Sequence, residues 1–375
     1  MKDTMFYFQV HQPRRIRPYR MSEIANNHDY FWDSRNREIM QRVASKCYIP
    51  ATNTLIENGI RATFSISGIF LEQAIEYAPE IIEVFRDYFR SGLGELMAET
   101  YYHSLSSIWD ENEFKDQVEE QLRTLSRIFG IRPKSFRNTE LIFSDKISRA
   151  VKSMGFQTMI TEGTDQIISD HSPNYLYSTV SGMNLLLRNY RLSDDVAFRF
   201  SSFGWNEYPL FADKYSRWIS ETPGEVANIF MDYETFGEHQ WRETGIFGFL
   251  KALPRELEKR DIGMLTVGEA GSRMKSHGEI SIPVEISWAD NDRNLNAWLG
   301  NDMQREAMEK LKTFRGCENR EIWRTLQTSD LIYYMSVRGF SDQEVQAYFN
   351  PYDSPYLAFI YYMAILEDFR RTNCR

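Results

Sequence analysis

Three carboxylates, Asp232, Glu234 and Glu238, stand within seven residues directly after the apolar run 226–231, with Tyr233, Phe236 and Gly237 between them. Like charges held together away from water raise one another's pKa, so a strand ending this way is costly unless chemistry uses or balances the charge. Other polar residues follow other apolar runs: His11-Gln12-Pro13 after 5–10, Thr100-Tyr101-Tyr102-His103 after 95–99, and Glu140 in the run Phe136-Arg137-Asn138-Thr139-Glu140. Two carboxyl groups facing each other across a cleft are what cleavage of a glycosidic bond needs. One must be ionised to attack the anomeric carbon, and the other must hold a proton for the leaving oxygen. Glu140 and Asp232 are the natural pair, although by residue type alone either could instead pair with Arg137 or a neighbouring Lys or Arg.

The elements that would position these groups are short β-rich runs at 5–10, 62–66, 95–99, 135–139, 158–161, 185–189, 226–231 and 263–267. Amphipathic helical patterns alternate with them, as at 70–90 and 111–129. Strands separated by helices of that length pair in parallel through right-handed crossovers, and seven or eight such units favour a (β/α) barrel over an open sheet. The polar residues fall at the C-terminal ends of the strands, where barrel enzymes keep their catalytic groups. Beyond about residue 290 the runs at 294–313, 320–335, 342–348 and 356–370 all read as helices, with 290–292 as a helix start. The expected organisation is a barrel over 1–285 and a helical C-terminal region over 286–375.

Composition excludes several classes. The 375 residues, 42% hydrophobic and 26% charged, describe a soluble globular chain, and a net charge of −9 argues against a nucleic-acid or anionic-membrane surface as the main partner. A neutral ligand fits better. The 21 Tyr, 25 Phe and 8 Trp would suit sugar stacking, although filling a core explains most of them. The start, Met1 to Val10, is too short and too quickly interrupted for a signal peptide, and the late apolar run 356–366 is too short to span a bilayer. Cys47, Cys317 and Cys374 show no paired spacing, so no disulfide framework or zinc knuckle is expected and a reducing, cytoplasmic setting is the default.

Taken together, His11-Gln12-Pro13, Glu95 in the segment from Gly92 to Met97, Thr100 to His103, Phe136 to Glu140 and Asp232 to Gly237 resemble the ordered motifs of glycoside hydrolase family 57. Ile286 to Asp290, continuing into Asn296 to Asn301, resembles its last motif in the form of the α-amylase-like members. The resemblance implies an incomplete (β/α)7 barrel followed by a helical region, and retaining α-glycosidase chemistry on an α-glucan or maltooligosaccharide without a metal or other cofactor. It further implies Glu140 as nucleophile and Asp232 as general acid and base, about 5–5.5 Å apart as retention requires. His11, Glu95, His103 and Glu234 would bind the sugar, with Trp288 as an aromatic platform and Asp290 as a polar contact. Two departures bear on the outcome of the reaction: Tyr233 stands where many relatives have glycine, and Arg137-Asn138 where glucanotransferase-like members have Trp and Leu. Hydrolysis and transfer to another sugar both stay open, as does a catalytically silent glucan-binding protein.

Simpler readings stand beside these. None of the six histidines forms an H-x-x-x-H or H-E-x-x-H pair, which speaks against a helix-borne zinc site. His103 is read equally well as a satisfied core histidine. The run Arg14 to Arg20 reads first as a solvated loop and secondly as an arm over the cleft, and Ser193 to Asp195 with Arg188, Arg191 and Arg199 as a salt-bridged network. From the helical region, Trp323 and Tyr333-Tyr334 are candidates to reach the cleft that core packing explains as well.

Overall fold

The computed structural model describes residues 2–168, 172–337 and 350–374. The strands are β1 (Lys2–Val10), β2 (Ala62–Ile66), β3 (Gly94–Met97), β4 (Ser135–Arg137), β5 (Thr158–Glu162), β6 (Leu176–Thr179), β7 (Asn184–Arg188), β8 (Val226–Asp232), β9 (Ile262–Leu265) and β10 (Glu279–Ile280). They form two sheets. One runs β3-β2-β1-β8, and β1 hands its other edge from β9, along Lys2 to Met5, to β2, along Tyr7 to Val10. The other runs β10-β6-β7-β5-β4, with β6 antiparallel to β7.

Two narrow seams join the sheets. A single parallel bridge, Ala98 with Phe136, links the ends of β3 and β4. At the other seam, Asn189 N–H donates to Asn228 O at 2.8 Å and Arg188 Nε–H donates to Phe230 O at 2.8 Å, side by side rather than as a ladder. Among the described residues, parallel strands β1, β2, β3, β4, β5, β7 and β8 thus ring an incomplete (β/α)7 barrel.

Side-chain alternation explains why β1 is buried almost throughout. Met5 and Tyr7 face the barrel interior with Met97, Leu141, Ile160, Leu186 and Phe230, whereas Phe6, Phe8 and Val10 face the outer helices with Phe64, Tyr233 and Phe236. The helix Glu111–Phe129 begins where Asp110 accepts from the N–H groups of Asn112 and Glu113 and ends at left-handed Gly130. The expected helix at 70–90 is instead two, Gly68–Tyr77 and Glu80–Arg90, because Pro79 cannot continue the first.

From Asn296 onward the described elements are helices: Asn296–Leu299, Asp302–Lys312, Arg320–Thr325, Ser329–Tyr333 and Pro355–Asn373. Trp298, Trp323, Tyr362 and Phe369 share one core with Phe136, Phe143 and Leu185, so these helices pack directly against the β4–β7 half of the barrel. Trp323, which packs against Trp109 and donates to Leu311 O, and Tyr334 are core residues, whereas half-buried Tyr333 packs beside Trp298. Residues 290–292 start no helix; the first begins at Asn296. The expected helix at 342–348 lies outside the described residues. Among the described residues no helix is long and apolar enough to cross a membrane.

The cysteine reading needs correction. Cys317 and Cys374, 57 residues apart, form a disulfide with Cα atoms 4.5 Å apart, and only Cys47 is free. Helix packing brings the two together, and sequence spacing carries no trace of that approach. The expectation of a reducing compartment loses the support it drew from cysteine usage.

Candidate active site

Glu140 lies just beyond β4, in a turn where it and Leu141 both take left-handed backbone, φ 58° and 51°. Such conformations cost roughly 1–3 kcal/mol each and persist only where neighbours enforce them. Here the enforcement is a Leu141 N–H bond to Asn138 O at 3.0 Å and Asn138 Nδ2–H bonds to Ile142 O and Ser107 Oγ, both 2.9 Å. The turn aims the carboxylate at three donors. Oε2 accepts from Trp288 Nε1–H at 2.7 Å, while Oε1 accepts from Ser329 Oγ–H at 3.1 Å and His103 Nε2–H at 3.3 Å. Burial would raise the Glu140 pKa, but the His103 hydrogen bond and charge, with Arg137 behind them, hold it below the ordinary value.

His103 is more than a core histidine. Its Nδ1–H meets Glu99 Oε2 at 2.7 Å, and its own backbone is left-handed, φ 52°. Burial alone would lower its pKa, yet the Glu99 charge and the bonds to Glu140 and Glu99 carry it up to about 9, an imidazolium at neutral pH. His11 stacks on it, ring centroids 4.0 Å apart. Burial and then the His103 charge push the His11 pKa down, so His11 is the neutral partner. Its Nδ1 accepts from Ser67 Oγ–H at 2.7 Å and its Nε2–H donates to Asp330 Oδ2 at 3.0 Å. Burial opposes ionisation of Asp330, and the pairing with His11 and the nearby His103 charge hold it at about 2.

Arg137, fully buried, donates to Gln9 Oε1, lies 3.7 Å from Glu99 and carries the Trp288 ring 5.2 Å from its guanidinium. The residue that departs from the glucanotransferase-like pattern is therefore the positive floor beneath the nucleophile candidate and its tryptophan. Arg188 approaches the same ring at 5.8 Å and is tied to Glu162 at 3.0 Å and to Asp194; Arg293 joins Glu162, and Arg199 joins Asp195. The network read around Ser193 to Asp195 is present for Arg188 and Arg199, whereas Arg191 turns to Tyr190 Oη at 3.4 Å.

Asp232 is the last residue of β8, in register with Gln9 of β1. Burial first, then the charge of Glu140, push its pKa up to about 7 against the pull of Arg137, Arg188 and His103. Glu234 follows in the 3-10 turn Tyr233–Thr235; burial and then Asp232 raise it to about 8, and its Oε1 accepts from Tyr48 Oη–H and from Gln12 Nε2–H at 3.3 Å. Tyr233, the second departure, points away into the aromatic core, 4.9 Å from Phe64 and 5.2 Å from Phe8, its hydroxyl 2.9 Å from Thr52. Gly237 has φ 119° and packs so closely on Lys46 that a Cβ there would strike its carbonyl oxygen. Glu238 accepts from Arg42 at 2.6 Å, which balances the third carboxylate of the run.

The site therefore holds two carboxyl groups displaced in opposite directions at the C-terminal end of a seven-stranded ring. The model of the family described as Glycosyl hydrolase family 57 matches residues 5–283. The chain belongs to that family. It is 44% identical to a Methanocaldococcus jannaschii protein provisionally named an alpha-amylase, over 97% of this chain and 83% of that protein. Among solved structures it is similar to a 4-alpha-glucanotransferase from Thermococcus litoralis, with TM-score 0.71 and 16% identity over 99% of this chain and 60% of that one. A family 57 branching enzyme from Thermococcus kodakaraensis, solved with glucose and additives, matches with TM-score 0.71 and 13% identity over 99% and 90%. The structural likenesses carry the fold; the chain spans only three-fifths of the glucanotransferase.

Against the family 57 motif expectations, the structure gathers Glu140, Asp232, His11, His103, Glu234 and Trp288 around one another, and Asp290 lies two residues past Trp288 with φ 55°. Glu95 does not join them. It stands at the start of β3, where Oε2 accepts from Gly268 N–H at 2.7 Å at the head of the helix Val267–Arg273 and from Thr63, and Oε1 accepts from Ser135. The glutamate of this segment that reaches the site is Glu99, four residues on at the other end of the strand and four before His103. That i, i+4 spacing was its available signal.

The arginine run is not a solvated loop: Arg15 is buried and donates to Gln12 Oε1 at 2.9 Å, so it steadies the residue that contacts Glu234. Ser329 and Asp330, from the C-terminal helices, went unnoticed in the sequence because no local pattern marks them. Among the described residues no group of three or more His, Cys, Asp or Glu is arranged to hold a metal ion.

Proposed function

We propose that this family 57 chain is a retaining α-glucan hydrolase of the α-amylase type, cleaving α-1,4-glucosidic bonds. The observation that carries the reading is the opposite displacement of the two carboxyl groups, Glu140 held low and Asp232 lifted to about 7 in part by the charge of Glu140. One is ionised and the other able to hold a proton at the same pH.

In the first step a Glu140 oxygen bonds to the anomeric carbon while Asp232 gives its proton to the departing glycosidic oxygen. In the second, Asp232 takes a proton from water, the hydroxide oxygen bonds to the anomeric carbon and the Glu140 ester breaks. The Trp288 indole and the His103 imidazolium hold the nucleophile ionised and oriented. The Trp288 ring supplies a flat apolar face for a sugar, with Asp290, His11 and Glu234 as hydroxyl partners.

Incubation of the purified protein with maltooligosaccharides, with products separated by chromatography, tests this. Shorter products alone are expected, and Glu140→Ala should abolish them. Longer or branched products would assign 4-α-glucanotransferase or branching activity, and no products at all a silent glucan-binding protein.

A further inference from the structure

The helices Tyr190–Ala197 and Ala212–Glu221 are joined by residues 198–211, longer than most connections in a compact domain. This segment concentrates exposed aromatic rings: Phe198, Phe203 and Phe211 are 58%, 84% and 62% exposed, and Phe203 packs 4.8 Å from Tyr208. Clustered exposed apolar rings mark surfaces that bind something. Beside them runs an open groove of about 1040 Å³, lined by the rings of Tyr190, Trp205 and Trp218 and by Asp195, Arg199 and Glu207. Ligand clefts are usually about 300–1,000 Å³, so this one has room for several sugar units.

The groove is not the cluster around Glu140, and none of the residues assigned to that site lines it. Its inner wall nevertheless backs that site. Tyr190 lies under the Arg293 guanidinium at 4.9 Å, Arg293 and Arg188 share Glu162, and Arg188 faces Trp288.

We propose that this groove is an accessory binding site for a neutral α-glucan chain, an inference that rests on the glucan-active reading above. Arg293, Arg199 and Lys214 lie over the rings of Tyr190, Trp205 and Trp218, so the groove offers cation-backed aromatic surface to the C–H surfaces of pyranoses, and its acids and arginines offer hydrogen bonds to hydroxyl groups. Because both signs of charge border the rings, neither a polyanion nor a polycation is selected. The site would hold polymer beside the catalytic cleft and would do little for short substrates.

Affinity electrophoresis in gels containing amylose, paired with kcat/KM on maltotetraose, tests it. Trp218→Ala and Trp205→Ala should weaken amylose retardation at least threefold while kcat/KM on maltotetraose stays within twofold of the parent. Arg191→Ala and Glu207→Ala change exposed side chains on the same groove and should weaken retardation about twofold, so they decide the matter if an aromatic variant unfolds. Retardation equal to the parent in the folded variants, or a parallel loss of maltotetraose turnover, would overturn the groove assignment. A parent that binds amylose through the groove yet turns over no maltooligosaccharide would sink the hydrolytic reading alone.

Discussion

His11 and His103 lie face to face, ring centroids 4.0 Å apart and planes within 19° of parallel, yet they carry different charges. Glu99 and Glu140 hold the proton on His103, and burial together with the imidazolium so formed keeps His11 neutral. Of this pair, only His103 places a positive charge against the proposed nucleophile.

The pH dependence follows from the two carboxyl groups. Glu140 must be ionised, and its pKa lies below the ordinary glutamate value, so activity falls only at a pH below that range. Asp232 must be protonated, and its pKa is about 7, so activity falls as pH rises through 7. A bell-shaped kcat/KM profile on maltooligosaccharides is expected, and Asp232→Asn should cost about 10²–10⁴-fold in rate together with the basic limb.

Trp288→Phe keeps a ring but removes the indole N–H that Glu140 accepts at 2.7 Å. A hydrogen bond to a charged group is worth about 1.5–3 kcal/mol, so kcat should drop roughly 10–100-fold. The acidic limb should move upward, because the carboxylate loses a donor.

Asp330→Asn leaves the His11 bond with a neutral acceptor. A loss of about 1–2 kcal/mol, roughly tenfold in kcat/KM, is expected with little change in melting temperature. Steady-state kinetics beside a thermal melt separates this from unfolding.

Glu95→Ala is expected to act the other way. Its contacts are with Gly268, Thr63 and Ser135, so the melting temperature should fall by a few degrees, corresponding to about 1–2 kcal/mol, while kcat changes less than about twofold.

His103 also links stability to pH. Its folded pKa of about 9 exceeds the ordinary 6.5, so its stabilisation is complete below pH 6.5 and is lost as pH rises through 9. Denaturant titrations at pH 6 and pH 9.5 should show that loss, and His103→Gln should remove most of the difference.

Much of the barrel was legible because its strands are apolar runs bounded by helices with clear stops. Helix Glu111–Phe129 announces itself by Asp110 and Gly130, and most of the strands were placed within a residue or two. β6 and β10 were missed: each is at most four residues long and gains its identity from pairing rather than composition. Glu140 and Asp232 were legible as strand-end carboxylates. Glu95 was mistaken for Glu99 because the motif marks a segment, whereas strand direction decides which of its ends reaches the site. Asp330 lies 319 residues from His11, and nothing in the chain between them predicts the contact.

The narrow join between β3 and β4 has one last implication. A lone bridge, Ala98 with Phe136, stitches the sheet that leads into Glu99 and His103 to the sheet that leads into Glu140. The proposed nucleophile and its counter-ion therefore ride on opposite sides of a single stitch. A shear of tenths of an ångström there would be felt first as a change in the Glu140–His103 separation, making that distance a built-in gauge of barrel alignment.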